Sequence, residues 1–268
     1  MDKLGICTWT LGIDDLHALM TRIKTLGLDG VQFCADGRQY QAEELRARVD
    51  EQGLELFAID PFDCAPDDPE KASAEGAIAY YREVIDFAAA SGAPAVTLQG
   101  LGQWTTNCAS DDEAWQRLVE CCQALMPYAQ KHGITPMYEV VNRYEMPLIR
   151  TAAEGRRLVD EVGDALGLIL DSFHMNIDEA DPCQALRDSA ERLVSYHISD
   201  SNRAGIGSGH INFPAQHRVL REIGFSGPVM IEPVLPPLAP TTTPRSAAER
   251  DALDNEIRRS VATWRALG

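Results

Sequence analysis

Four strand-like apolar runs in the second half of the chain each close on a side chain able to bind a metal: Ile134 to Glu139, Leu166 to Asp171, Leu193 to His197 and Pro228 to Glu232. One such residue at a strand end is ordinarily a helix cap, an ion-pair partner or a satisfied core histidine. Four at equivalent places call for a fold that brings strand ends together. In a parallel barrel the C-terminal ends of all the strands open onto one mouth, so these four residues are expected to meet there as a single metal site.

The rest of the chain supplies the missing units. Leu4 to Trp9, Gly30 to Phe33, Leu54 to Ile59 and Ala95 to Gln99 read as four earlier strands, giving eight in all. Between them Leu16, Leu19, Met20 and Ile23 fall at helical spacing. Ser110 to Glu113, Thr151 to Glu154 and Ser246 to Glu249 are capping-box patterns that open helices. The proline-rich stretch from Pro233 to Pro244 reads as a loop, and Leu253, Ile257, Val261 and Trp264 give the last helix a face to dock. The expected fold is therefore α/β, a single (β/α)8 TIM barrel over residues 1–268, with the active site at the C-terminal ends of the strands. A length of 268 residues suits such a barrel, which typically takes ~250. A doubly wound open sheet competes less well, because no G-x-G-x-x-G follows the first strand and candidates on strands five to eight need a closed wall to converge.

A formal net charge of -17 at pH 7 argues against nucleic acid and anionic membranes as partners, since both select basic surfaces. Apolar runs are short, well below the ~20 residues of a membrane helix, and no secretory leader is visible at the N-terminus. Seven cysteines without a C-x-x-C pair fit a reduced compartment, so the cytoplasm is expected. Cys121 and Cys122, adjacent in a helical pattern, read as packed small hydrophobes, and thiol ligation of the metal is not expected.

Three carboxylates and one imidazole form a hard-to-borderline donor set. It favours Mn2+, with Co2+ or Mg2+ also compatible, over a thiolate-bound structural ion. A divalent cation on a carbonyl and its neighbouring hydroxyl makes the adjacent C–H removable by stabilising a cis-enediolate. With one carboxylate on each face of that carbon, the first removes the proton and the second returns one opposite, which inverts the centre. Both transfers on one face, to an adjacent carbon, would give an aldose-ketose isomerase instead.

The runs Glu139 to Glu145, Leu170 to Glu179 and His197 to Arg203, the last continuing to His210, resemble the xylose-isomerase-like sugar isomerase and epimerase superfamily. Within it they are most similar to the ketose 3-epimerase branch, the tagatose and allulose 3-epimerases. The resemblance implies Glu139, Asp171, His197 and Glu232 as metal ligands and Glu139 with Glu232 as the acid/base pair. It implies Glu145, His174 and Arg203 as contacts to the carbonyl end of the sugar, and Trp104, after strand four, as an apolar wall. It also implies a small-molecule sugar partner and a homodimer or homotetramer. As bland alternatives, Glu145 and Arg203 make a loop ion pair and Trp104 is core.

Val96 to Leu101 and Pro236 to Pro244 depart from the epimerase pattern beside the mouth. Hydroxypyruvate-type isomerisation, or turnover of a keto-glycoside or inosose, is therefore an alternative use of the same site. An apurinic-site endonuclease is more remote, because its metals draw imidazoles from earlier strands, whereas strand three here ends at Asp60 and strand four at Gln99-Gly100. The Gly-rich segment from Ala204 to Gly209 is read as a turn that positions Arg203 in preference to a phosphate cradle.

Overall fold

In the computed structural model, which describes residues 3–62, 64–236, 238 and 242–268, eight parallel strands close into a barrel in sequence order. They are β1 Leu4–Cys7, β2 Gly30–Phe33, β3 Glu55–Ile59, β4 Ala95–Thr97, β5 Thr135–Val140, β6 Gly167–Asp171, β7 Leu193–Ile198 and β8 Val229–Ile231. The closing pair aligns Leu4 with Val229 and Ile6 with Ile231. Around the barrel run α1 Leu16–Thr25, α2 Ala42–Glu51, α3 Ala74–Ser91, α4 Asp111–Lys131, α5 Ala152–Val162, α6 Ser172–Asp178, α7 Pro182–Asp188, α8 Phe213–Glu222 and α9 Ala247–Arg265.

Strands one and four stop sooner than their apolar runs do. After Cys7 and after Leu98 the chain turns into 3-10 helices, Thr8–Leu11 and Gln99–Thr105, which carry Trp9 and Trp104 out of the wall and onto the rim. Capping boxes close at Thr151 and Ser246. At Ser110 only half forms: its hydroxyl accepts from Glu113 N, but the Glu113 carboxylate accepts from Ala109 N at 2.8 Å instead of from Ser110. Of the proline-rich stretch, residues 237 and 239–241 lie outside the described set.

Two layers fill the barrel. Ala58, Ala95, Met137 and Ile169, with Val194 against them, form a small apolar plug separate from the main core between strands and helices. Two residues further along, on the same face because strand side chains alternate, come Asp60, Thr97, Glu139 and Asp171. The site therefore rests on a packed floor.

Candidate metal centre

The polar layer above that floor takes one residue from each strand end: Cys7, Gln32, Asp60, Thr97, Glu139, Asp171, His197 and Glu232. Glu139, Asp171, His197 and Glu232, all buried, each offer a ligand atom within 4.8 Å of the others. His197 stands at the centre, with Nδ1 3.2 Å from Glu139 Oε1 and 3.5 Å from Glu232 Oε2. Burial alone would lower its pKa, but the two glutamates override this and raise it well above the ordinary imidazole range. Asp171 serves twice: Oδ1 accepts from Phe173 N at 2.6 Å and caps α6, while Oδ2 faces the cluster. The cap expected of an isolated aspartate thus uses only Oδ1, and Oδ2 has a second role.

Glu232 is held from three sides. Trp9 Nε1 donates to Oε1 at 2.6 Å, Arg203 Nη2 lies 3.2 Å from Oε2, and His197 approaches the same oxygen. Burial would raise its pKa, yet Arg203 and His197 hold the carboxyl well below the usual range. Oε2 is nevertheless buried without a hydrogen-bond partner. A buried acceptor in that condition is costly, and a cation among the four donors would satisfy it. The residues fit a divalent ion.

Arg203 donates from Nη1 to Asp171 Oδ2 at 2.9 Å and to Ser199 Oγ at 3.2 Å, and its guanidinium lies over the Phe173 ring. Its charge therefore lands on two of the four candidate ligands, and not in a loop pair with Glu145. To do so it adopts φ 61°, the one non-glycine positive φ among the described residues, a left-handed conformation that costs about 1–2 kcal/mol. Backbone bonds hold it there: Arg203 N donates to Asp200 O and Val234 N donates to Arg203 O, both at 2.7 Å.

The Gly-rich turn is closed to phosphate for a local reason. Asp200 accepts from the backbone N–H groups of Ser201, Gly207, Ser208 and Ile211, so a carboxylate of the chain itself occupies the nest. Burial would raise the pKa of Asp200, and the backbone donors reverse this and lower it.

His174 Nε2 lies 3.8 Å from Glu139 Oε1 and 3.9 Å from Asp171 Oδ2. Its Nδ1 meets Asn142 Nδ2 at 2.7 Å, and the same amide donates to Glu145 Oε1 at 2.9 Å. Since the amide nitrogen only donates, Nδ1 accepts and Nε2 carries the proton toward Glu139. Glu145 thus reaches the cluster through Asn142 and His174. Trp104 stacks on Tyr80 at 6.0 Å against α3. Trp9, whose indole bonds Glu232, stacks on the partly exposed Phe62 at 5.0 Å.

Sequence reading passed over Cys7, Trp9, Gln32, Asp60 and Asn142. Cys7 Sγ lies 4.0 Å from His197 Nδ1 and, with His197 and Glu232, forms a second group of clustered donors, although burial raises its pKa far above the usual thiol range. Gln32 Oε1 lies 3.2 Å from His197 Nε2, and Gln32 Nε2 donates to Asp60 Oδ2 at 2.9 Å. Burial and nearby Glu139 lift the pKa of Asp60 to about 6. For Cys7 and Asp60 the signal was available, since both are ligand-type residues at strand ends, whereas Gln32 and Asn142 are neutral amides that residue type does not mark.

A family model described as "Xylose isomerase-like TIM barrel" matches residues 20–256. The chain belongs to that family. It is 31% identical to an L-ribulose 3-epimerase of Mesorhizobium japonicum over 156 residues, which is 58% of this chain but only 48% of that relative, so the match spans about half its length. It is 29% identical to the 3-dehydro-D-guloside 4-epimerase of Escherichia coli over 219 residues, 78% of this chain and 84% of that one. The structure of a D-psicose 3-epimerase from Clostridium cellulolyticum superposes with a TM-score of 0.83 over 99% of both chains at 23% identity, which establishes a common fold. Among the described residues no helix is long and apolar enough to cross a membrane.

Proposed function

We propose that the protein is a divalent-metal-dependent sugar epimerase, an isomerase that inverts C3 of a free ketose with Glu139 and Glu232 as its acid/base pair. One observation carries the reading. The two glutamates stand on β5 and β8, three steps apart around the wall, yet both carboxylates come within 3.5 Å of His197 Nδ1. Carboxylates reaching one point from separated parts of the wall suit proton transfer on two faces of a carbon held between them.

Glu139, Asp171, His197 and Glu232 would hold the ion, Mn2+ in our reading with Co2+ or Mg2+ also suited to the donor set. When bound, the cation acidifies the hydrogen next to the substrate carbonyl. The ionised glutamate takes the C3 proton, and the other, which enters the turnover protonated, returns its own proton on the opposite face, so the pair ends with the two roles exchanged. Arg203 and Trp9 keep Glu232 ionised and oriented, while His174, Glu145 and Arg203 hold the C1 to C2 end. Trp9 and Phe62 supply the apolar side, and Trp104 packs behind Tyr80. The net charge of -17 and the self-filled nest at Asp200 favour an unphosphorylated sugar. The same reading has one barrel domain over residues 1–268 acting in the cytoplasm as a homodimer or homotetramer.

A second reading, 4-epimerisation of a keto-glycoside, is favoured by the extent of the Escherichia coli match and by a cavity of about 390 Å³ whose lining includes Glu145, Gln103 and Met146. Incubation with a free ketopentose or ketohexose and Mn2+ in D2O separates the two. Deuterium at C3 with both C3 epimers present supports the proposal. Label at C1 without inversion indicates aldose-ketose isomerisation. No label with free sugars but turnover of a keto-glycoside supports the second reading.

A further inference from the structure

We propose that Asp60 is a positioning residue for the metal centre: through Gln32 it decides which nitrogen of His197 carries a proton and which is left for the cation. The inference rests on the four-ligand reading above. It gives a role to strands β2, β3 and β4, which contribute no ligand.

The argument is one of donors and acceptors. Ionised Asp60 can only accept, and its two oxygens are taken by two donors, Gln32 Nε2 at 2.9 Å on Oδ2 and Thr97 Oγ1 at 2.8 Å on Oδ1. With its NH2 committed to Asp60, the Gln32 amide must present Oε1 to His197, 3.2 Å from Nε2. Only an N–H at Nε2 completes that bond. Nδ1, which faces Glu139 and Glu232, is then the nitrogen whose lone pair a cation can take. Rotating the amide by half a turn would break the contact with Asp60 and set a donor against Nε2, which protonates Nδ1 and blocks it. Gln32, Thr97 and His197 are almost completely buried, so water does not substitute readily for a lost partner. Partners of this kind typically change metal affinity by roughly 10- to 100-fold when removed.

The test uses metal-free full-length protein titrated with Mn2+, reading the free ion by electron paramagnetic resonance. A long-range 1H–15N spectrum of the Mg2+-loaded protein reads the His197 tautomer. Asp60→Ala and Gln32→Leu should each weaken Mn2+ binding by roughly 10- to 100-fold. Asp60→Ala should also shift proton occupancy from Nε2 toward Nδ1. The exchange of Gln32→Glu with Asp60→Asn reverses the polarity of the middle pair but keeps an acceptor against Nε2, so it should recover most of the lost affinity. Wild-type affinity and an unchanged Nε2–H tautomer in Asp60→Ala would overturn the inference, as would a lowered melting temperature with unchanged binding. If Asp60→Ala does not fold, Gln32→Leu and the exchange carry the same comparison. Failure of the wild type to bind any divalent ion would remove the four-ligand reading itself, an outcome distinct from failure of the relay alone.

Discussion

The indole Nε1 of Trp9 donates to Glu232 Oε1 at 2.6 Å, tying the first strand's rim to the last strand's end. The bond occupies one oxygen of the carboxylate and leaves Oε2 toward the centre of the cluster. A hydrogen bond to a charged group is worth about 1.5–3 kcal/mol. Trp9→Phe keeps an aromatic ring beside Phe62 but removes the donor, so turnover should fall by roughly 10- to 100-fold, with any loss of Mn2+ affinity measured alongside. Steady-state kinetics beside a metal titration check this, and an unchanged kcat would reduce Trp9 to a packing role.

What the sequence made legible follows from residue type. Glu139, Asp171, His197 and Glu232 are recognisable because a charge or imidazole closing an apolar run is chemically conspicuous, and eight such runs imply a barrel that gathers them. Gln32 is a neutral amide inside Val31-Gln32-Phe33, and its partners lie 28 and 165 positions away, so nothing local marks it. Trp9 reads as the end of a strand until the chain is seen turning after Cys7. The path of Arg203 to Asp171 and Glu232 depends on a positive φ that residue identity does not announce, since arginine has no preference for it. Residue type does not place Trp104, because its neighbours Gly76 and Tyr80 come from α3, 28 and 24 residues upstream.

Glu232→Gln and Glu139→Gln preserve shape and one acceptor oxygen while removing the proton-accepting charge. Each should leave the fold intact and lower turnover by at least ~100-fold, the low end of what positioned acid/base catalysis contributes. Circular dichroism and metal content, taken with the kinetics, separate lost chemistry from lost metal. A Glu232→Gln protein that keeps its metal and its turnover would assign the proton transfer to another group.

Asp200 binds together the turn that carries Arg203, through the N–H groups of Ser201, Gly207, Ser208 and Ile211. Its lowered folded-state pKa adds stability that is present above the ordinary carboxylate pKa and is lost as pH falls through the folded value. Asp200→Ala leaves these donors without their acceptor and should destabilise the fold by about 1–3 kcal/mol at pH 7. The gap between wild type and variant should narrow in acid. Urea unfolding at pH 7 and at pH 3 tests both statements, and a gap that stays constant with pH would mean the Asp200 charge is immaterial.

Metal binding should be proton-linked through His197. In the metal-free protein Glu139 and Glu232 overcome the effect of burial and raise its pKa well above the imidazole norm, so the ring is protonated at neutral pH and faces them with Nδ1–H. A cation needs that nitrogen's lone pair and must displace the proton. Affinity for Mn2+ should therefore rise by about tenfold per pH unit from pH 6 upward and level off only above the raised pKa. Calorimetry in buffers of different ionisation enthalpy should record close to one proton released per ion. The stability of the metal-free protein follows the opposite course. The contribution of a histidine with a raised pKa is complete below its unfolded value of about 6.5 and is lost as pH climbs through the folded one, so the metal-free melting temperature should fall toward alkaline pH while the Mn2+ form resists the fall. An affinity flat between pH 6 and 8, with no proton release, would show that His197 is already neutral and that the glutamates do not hold its proton.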